Sequence, residues 1–215
     1  MGFCTEISLL NRIKQIVDYA YLLLCNKITQ KDLVIHNEAS LQLYLGVIMQ
    51  QIGVLYQFSP TDHFVIELES PEEIGKTQKS SNGKARCDIK IVLSNGISNA
   101  EAFIELKFFK KHFNGTVTNN KFSLYCDIEN LEKYLNKDSS RICYEILYTD
   151  NFNYTIKNNS KFCIGDGHTI IGGQYQYTRT RNVKIQNNYT LNWDIYAMNN
   201  NFQRHHCFLK IPIFK

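Results

Sequence analysis

The sequence predicts a mixed α/β (α+β) domain in which helices come first, strands follow, and a helix and a further strand close the core. Three observations carry this expectation. Apolar residues recur every three or four positions up to about Ile52, alternate in short runs between His63 and Phe109, and return to helical spacing over Phe122–Leu135. The segment after Thr149 is rich in Asn, Tyr and Gly and reads as short strands and loops.

The elements follow in order. Ile7–Leu24 carries Leu10, Ile13, Val17, Tyr21 and Leu24 at spacings of three and four, an amphipathic helix. Asn37 is a good N-cap, and the helix it opens runs to about Ile52 with Leu41, Leu45, Ile48 and Ile52 on one stripe. Glu38 lies on that stripe, one turn ahead of Leu41. His63–Glu69, Ala85–Leu93 and Glu101–Phe109 read as successive strands. Ser70–Lys84, with Pro71, Gly75 and Asn82-Gly83, reads as a loop, and Ser94-Asn95-Gly96 as a tight hairpin. Phe122–Leu135 has helical rhythm through Leu124, Ile128, Leu131 and Leu135, and Arg141–Thr149 is a strongly apolar strand.

Residues 1–150 form the expected core. Residues 151–215, with alternating stretches at Val183–Ile185, Thr190–Tyr196 and Cys207–Ile213, form a strand-rich elaboration of the same domain, because no Pro- or Ser-rich linker precedes them.

A chain of 215 residues, 44% hydrophobic and 20% charged, suits one soluble globular domain. A formal charge of +4 permits a polyanionic partner without requiring one. The seven cysteines show no CxxC spacing, which argues against a zinc site and for buried free thiols in a reducing cytoplasm. Tyr19–Cys25 is apolar but too short to span a bilayer, and Glu6 sits where a signal peptide is basic, so no membrane association is expected.

The chemistry lies in the middle strands. Alternation puts Cys87, Ile89, Ile91 and Leu93 on one face and Asp88 and Lys90 on the other. In the next strand Phe103, Glu105, Lys107 and Phe109 share a face. A hairpin therefore brings Asp88, Glu105 and Lys107 together on one side of a sheet. Charged groups flanked by apolar ones are costly unless paired or bound to a cation. Two carboxylates make a hard oxygen site that suits Mg²⁺, and a lysine beside it can orient water and offset charge growing on a phosphate. The plainer reading of the same residues is a cross-strand salt bridge on a solvated face, which Phe103 and Phe109 argue against.

Arg86-Cys87-Asp88-Ile89, then a hairpin, then Phe103-Ile104-Glu105-Leu106-Lys107 resembles the PD-(D/E)xK nuclease superfamily, of restriction-endonuclease-like fold. The order helix, three strands, helix, strand from Asn37 to Thr149 extends the resemblance, while Cys87 stands where the family has its eponymous Pro. The resemblance implies a central mixed sheet flanked by helices, with Mg²⁺ (Mn²⁺ as substitute) held by Asp88 and Glu105. It implies Lys107 as the catalytic lysine and Glu38 as a further metal ligand, although Glu38 is equally a first-turn acid favoured by the helix dipole.

Lys84, Arg86, Lys110 and Lys111, with His112, would form a positive collar for a phosphate backbone, and Lys110 and Lys111 fit an ordinary solvated charge run equally well. Arg179, Arg181 and Lys184 beside Tyr175 and Tyr177 would grip nucleic acid, or equally form a sheet edge or an interface. Glu67 would be a further ligand or equally sit on an exposed strand face, and Lys90 lies at the rim of the Asp88 face. Asp127 resembles the acidic helix start of several such nucleases but is more simply a helix N-terminal acid, and His205-His206 matches no metal spacing.

The implied function is a Mg²⁺-dependent endonuclease of the type II restriction or antiphage defence kind. It would cut double-stranded DNA as a homodimer in the cytoplasm. Two alternatives keep the fold: a structure-specific, repair or RNA-cutting nuclease with the same centre, and a nucleic-acid-binding module without activity.

Overall fold

A computed structural model of the chain describes residues 8–80, 82–110, 117–197 and 205–214. Two helices open it, α1 (Leu9–Thr29) and α2 (Glu38–Leu55). Ser8 caps α1 by accepting the Asn11 N–H. Asn37 caps α2 in a reciprocal box, its side chain taking the Ser40 N–H while the Ser40 hydroxyl oxygen takes the Asn37 N–H. That cap fixes Glu38 as the first residue of α2.

The strands β1 (His63–Glu73), β2 (Lys84–Ser94) and β3 (Asn99–Phe109) follow. Then come α3 (Val117–Leu135), β4 (Arg141–Thr149), a short 3₁₀ turn (Phe152–Tyr154) and six further strands. These are β5 (Thr169–Ile170), β6 (Gly173–Gln176), β7 (Asn182–Ile185), β8 (Tyr189–Thr190), β9 (Trp193–Ala197) and β10 (His205–Ile213).

The main sheet is six-stranded and mixed, in the order β1-β2-β3-β4-β10-β9. Only β3 and β4 run parallel, since α3 crosses between them; the other neighbours are antiparallel. The strands β5 and β8 form one small ribbon, β6 and β7 another. One buried cluster joins α1 and α2 to Ile89, Ile91, Leu93, Ile104, Leu106, Tyr144 and Ile146. The other joins α3 to Phe103, Phe109, Cys143, Leu147 and the C-terminal strands. At Gly53 the ring of Phe64 occupies the place a Cβ would take, which lets α2 lie close on β1.

Several expectations are corrected. Ser70–Lys84 is not loop throughout: β1 runs on to Glu73 through Pro71, because β1 is a sheet edge and Pro71 forfeits no bond needed by a neighbour. Thr190–Tyr196 is two strands, interrupted at Leu191 and Asn192. The tail also completes the core, since β10 pairs with β4 and β9 with β10. Simple alternation fails at Asp88: Ile89, Ile91 and Leu93 pack with α1 and α2, whereas Ala85 and Cys87 join the cluster around α3.

Six cysteines (Cys25, Cys87, Cys126, Cys143, Cys163 and Cys207) are buried free thiols among the described residues. No helix among the described residues is long and apolar enough to cross a membrane.

Candidate active site

The sheet parts between β2 and β3. Their ladder runs from Ser94↔Asn99 to Ile89↔Ile104 and ends there, so the rest of β3 pairs only with β4. On the other side of β2, pairing with β1 passes from Leu68↔Ile89 to Ser70↔Cys87 and skips Glu69 and Asp88. Glu69 has φ +53, a left-handed conformation that costs a non-glycine residue energy and is kept where surrounding structure enforces it. Asp88 is thus left out of both ladders. Side chains satisfy what the ladders do not: Gln42 Nε2 donates to the Asp88 carbonyl at 2.6 Å and to Glu69 Oε1 at 3.1 Å. The Leu106 N–H donates to Asp88 Oδ2 at 2.6 Å, and the Cys87 thiol to the Ile104 carbonyl at 3.3 Å.

Charged groups from five elements and the β1–β2 connection meet at this fork. Lys107, on β3, is 8% exposed; its Nζ donates to the Leu106 carbonyl at 2.7 Å and lies 2.9 Å from Asp127 Oδ2 and 3.7 Å from Glu38 Oε2. Asp127 is wholly buried in the middle of α3, not at its start, and its other oxygen pairs with Lys79 from the β1–β2 connection. Glu105 is 3% exposed, with the Tyr134 hydroxyl at 3.5 Å. Its register partner on β4 is Glu145, fully buried, with neither carboxylate oxygen hydrogen-bonded among the described residues.

Burial decides the protonation of these groups. It raises Asp88 to about 6, opposed by Lys107 and the Leu106 N–H and reinforced by Glu38 and Asp127. Burial, then Asp127, pushes Glu105 and Glu145 well above the carboxylate range. Burial works against the Lys107 ammonium, but Asp127, Glu145, Glu38 and Glu105 outweigh it and hold its pKa well above the ordinary value. Lys107 is therefore a fixed cation and not a proton acceptor.

A second charged cluster on the same sheet shows what a structural network looks like here. Lys90 lies 3.2 Å from Glu72 and 3.4 Å from Glu101, and Arg141 is 2.8 Å from Glu101. There each acid meets a base. At the fork, Asp88, Glu105, Asp127 and Glu145 face two lysines, and Glu145 bonds to neither. Held protonated, Glu105 and Glu145 carry no charge, but keeping buried acids in that form at neutral pH itself costs stability, because the unfolded chain would release those protons. Packing alone does not account for such an excess of acids.

The donors fit a hard divalent ion: they are carboxylate oxygens, and Cys87, the nearest thiol, is held well above its ordinary pKa by burial and by Glu105. Among the described residues no three His, Cys, Asp or Glu side chains are gathered round one point. Asp88 and Glu105 would supply two carboxylates, which is what Mg²⁺ takes when water and phosphate fill the rest of its shell.

The fold brings Glu38, Asp88, Glu105 and Lys107 into one electrostatic cluster. Lys84, Arg86 and Lys110 are exposed on or beside β2 and β3; Lys111 and His112 lie outside the described residues. Arg179 and Lys184 are exposed, but Arg181 is engaged within the fold, bonded to Asn119 at 3.1 Å with its guanidinium 4.9 Å from the ring centres of Phe122 and Tyr177. Glu67 accepts from the Ser70 hydroxyl, and His206 pairs with the Tyr148 hydroxyl at 2.7 Å.

Sequence reasoning missed Glu145, Lys79 and Gln42. A charge inside the apolar run Arg141–Thr149 was a signal for Glu145; nothing local marks the other two. No protein-family model matches the chain, and neither a curated protein nor a solved structure does.

Proposed function

We propose that the chain is a divalent-cation-dependent nuclease of the restriction-endonuclease-like class that hydrolyses phosphodiester bonds, with DNA as its substrate. One observation carries the reading: a surplus of buried carboxylates around one fixed lysine, at the point where β2 and β3 separate. The order α2, β1, β2, β3, α3, β4 with β3 and β4 parallel supports it. A sheet that parts at Asp88 offers backbone and side chains to a ligand where an intact ladder offers none.

In this reading Asp88 and Glu105 hold Mg²⁺ or Mn²⁺, and Glu38 stands at the exposed rim. The bound ion supplies an acidified water and neutralises phosphate charge. Lys107, kept cationic by Asp127, places positive charge where the attacked phosphate gains negative charge. Asp127 and the Leu106 carbonyl fix the ammonium in place, and Gln42 braces the Asp88 backbone from α2. A homodimer would set two such centres on opposite strands, as restriction or defence against foreign DNA requires.

The test is cleavage of plasmid, single-stranded DNA and RNA with Mg²⁺, with Mn²⁺ and with EDTA. Asp88→Ala and Lys107→Ala are each expected to lower metal-dependent cutting by about a hundredfold or more while the circular dichroism spectrum stays that of a folded chain. Cutting at the wild-type rate by both folded variants would sink the proposal.

A further inference from the structure

A second basic site lies away from the fork, between the start of α3 and the C-terminal strands. It is a cavity of about 490 Å³ that reaches from Val117 at the start of α3 to Gln176 on β6. Its charged lining consists of Lys121 and Lys161, with no carboxylate among the described residues. Lys121 is 5% exposed, and no hydrogen bond or ion pair joins it to a described residue. Burial pushes its ammonium below the ordinary lysine range.

Lysines with so little exposure are rare without a partner, and a methionine would give the same packing without the cost of partly desolvating a charge. Lys121 also stands one turn into a 19-residue helix, where the positive end of the helix dipole adds to its own charge. An anion answers both. The cavity is larger than a bare phosphate needs and falls within the range of small-molecule sites. One wall is apolar, made by Val117, Phe162 and Tyr177. Asn158 spends its carbonyl oxygen on Ser160, which leaves its amide nitrogen free to donate, and Gln176 brings a second amide. Amides and aromatic rings in one lining suit the polar edge and apolar ring of a nucleobase.

We propose that this cavity binds a nucleoside phosphate, with Lys121 and Lys161 on the phosphate and the base against the Phe162 and Tyr177 wall. The same chemical unit exists as a free nucleotide and as the phosphorylated end of a nucleic-acid strand. The inference stands apart from the fork and does not need the nuclease reading.

The test is titration calorimetry of the full chain, without divalent ions, using deoxyadenosine monophosphate and deoxyadenosine. The monophosphate is expected to bind about tenfold tighter, and Lys121→Met to remove that preference, the scale of one charge-assisted hydrogen bond. Lys121→Met should unfold at the same temperature as wild type or higher, because it discards an unpaired buried charge. Lys161→Glu, at an exposed position, keeps the test decisive if the first variant misfolds: it should weaken the monophosphate by about tenfold as well. Competition by a 5′-phosphorylated oligonucleotide, but not by its 5′-hydroxyl form, assigns the site to strand ends; absence of competition assigns it to free nucleotide. Equal affinity for the nucleoside and its monophosphate in wild type, or an unchanged preference in the folded variants, overturns the proposal.

Discussion

Glu105 and Glu145 stand side by side in parallel register on neighbouring strands, both buried, and two like charges at that spacing do not ionise together cheaply. Glu145 has no hydrogen bond to offset its burial among the described residues. Glu145→Gln keeps the shape and removes the need to take up a proton on folding, so without metal at neutral pH it should raise unfolding free energy by about 1–4 kcal/mol. Urea denaturation checks this; a lowered midpoint would show that Glu145 is compensated in the resting fold.

Asp88 gives a second prediction with a definite sign. Its folded pKa of about 6 lies above the ordinary 3.8, so the folded chain binds this proton more tightly than the unfolded chain. Its contribution to stability is full below the lower value and is lost as pH rises through the upper one. Without divalent ions, wild type should therefore lose stability between pH 4 and 6 more steeply than Asp88→Asn. Parallel denaturation curves for the two across that window would exclude Asp88 as the titrating group.

At the scale of elements, what places the fork is the junction of helices and sheet edge. Arg12 on α1 donates to the Tyr56 carbonyl at 3.0 Å and to Asp62 at 2.6 Å, while Asp62 also accepts the N–H groups of Phe58 and Ser59. This knot ties α1 to the connection between α2 and β1, and α2 in turn carries Glu38 and Gln42. Arg12, with the backbone donors, holds the Asp62 carboxyl below its ordinary value despite burial. That stabilisation is present above the unfolded carboxylate pKa and is lost as pH falls through the folded one. Asp62→Ala leaves Arg12 buried without its counter-charge and should cost about 3 kcal/mol by urea denaturation at pH 7. A cost near zero would mean that water replaces the carboxylate at no penalty.

For the whole molecule, the C-terminal third is wired into the core and not appended to it. Glu132 on α3 is 1% exposed and accepts from the Gln186 and Asn187 N–H groups, the Asn187 amide and the Tyr189 hydroxyl. It fastens the tail across the outer surface of α3, which explains why that helix is buried nearly all round where its sequence promised one apolar stripe. Glu132→Ala strands several buried donors at once and should cost about 3 kcal/mol or more. Limited proteolysis is the sharper readout, since cuts should appear first in the loops after Thr149; a cleavage pattern identical to wild type would contradict the fastening role.

The sequence by itself determined the local order. Helical and alternating periods, the Asn37 cap and the Asn-Gly turn named the helices and core strands to within a few residues, because these signals depend on neighbours only a turn or a pleat away. It also put Asp88, Glu105 and Lys107 on the two strands of one hairpin, although the ladder joining those strands ends at Ile89 and Ile104. Tertiary structure decided the rest. Asp88 leaves both ladders because Glu69 turns left-handed and Gln42 reaches over from α2, and no period in the chain reports a bond between residues 46 positions apart. Glu145, Lys79 and the mid-helix Asp127 join the fork through strand order and helix crossing, and β10 reaches β4 across the length of the tail. Burial turns those placements into chemistry, and burial is a property of the packed whole: it holds protonated acids that would ionise in water, while the acids packed round Lys107 keep its ammonium charged against the same burial.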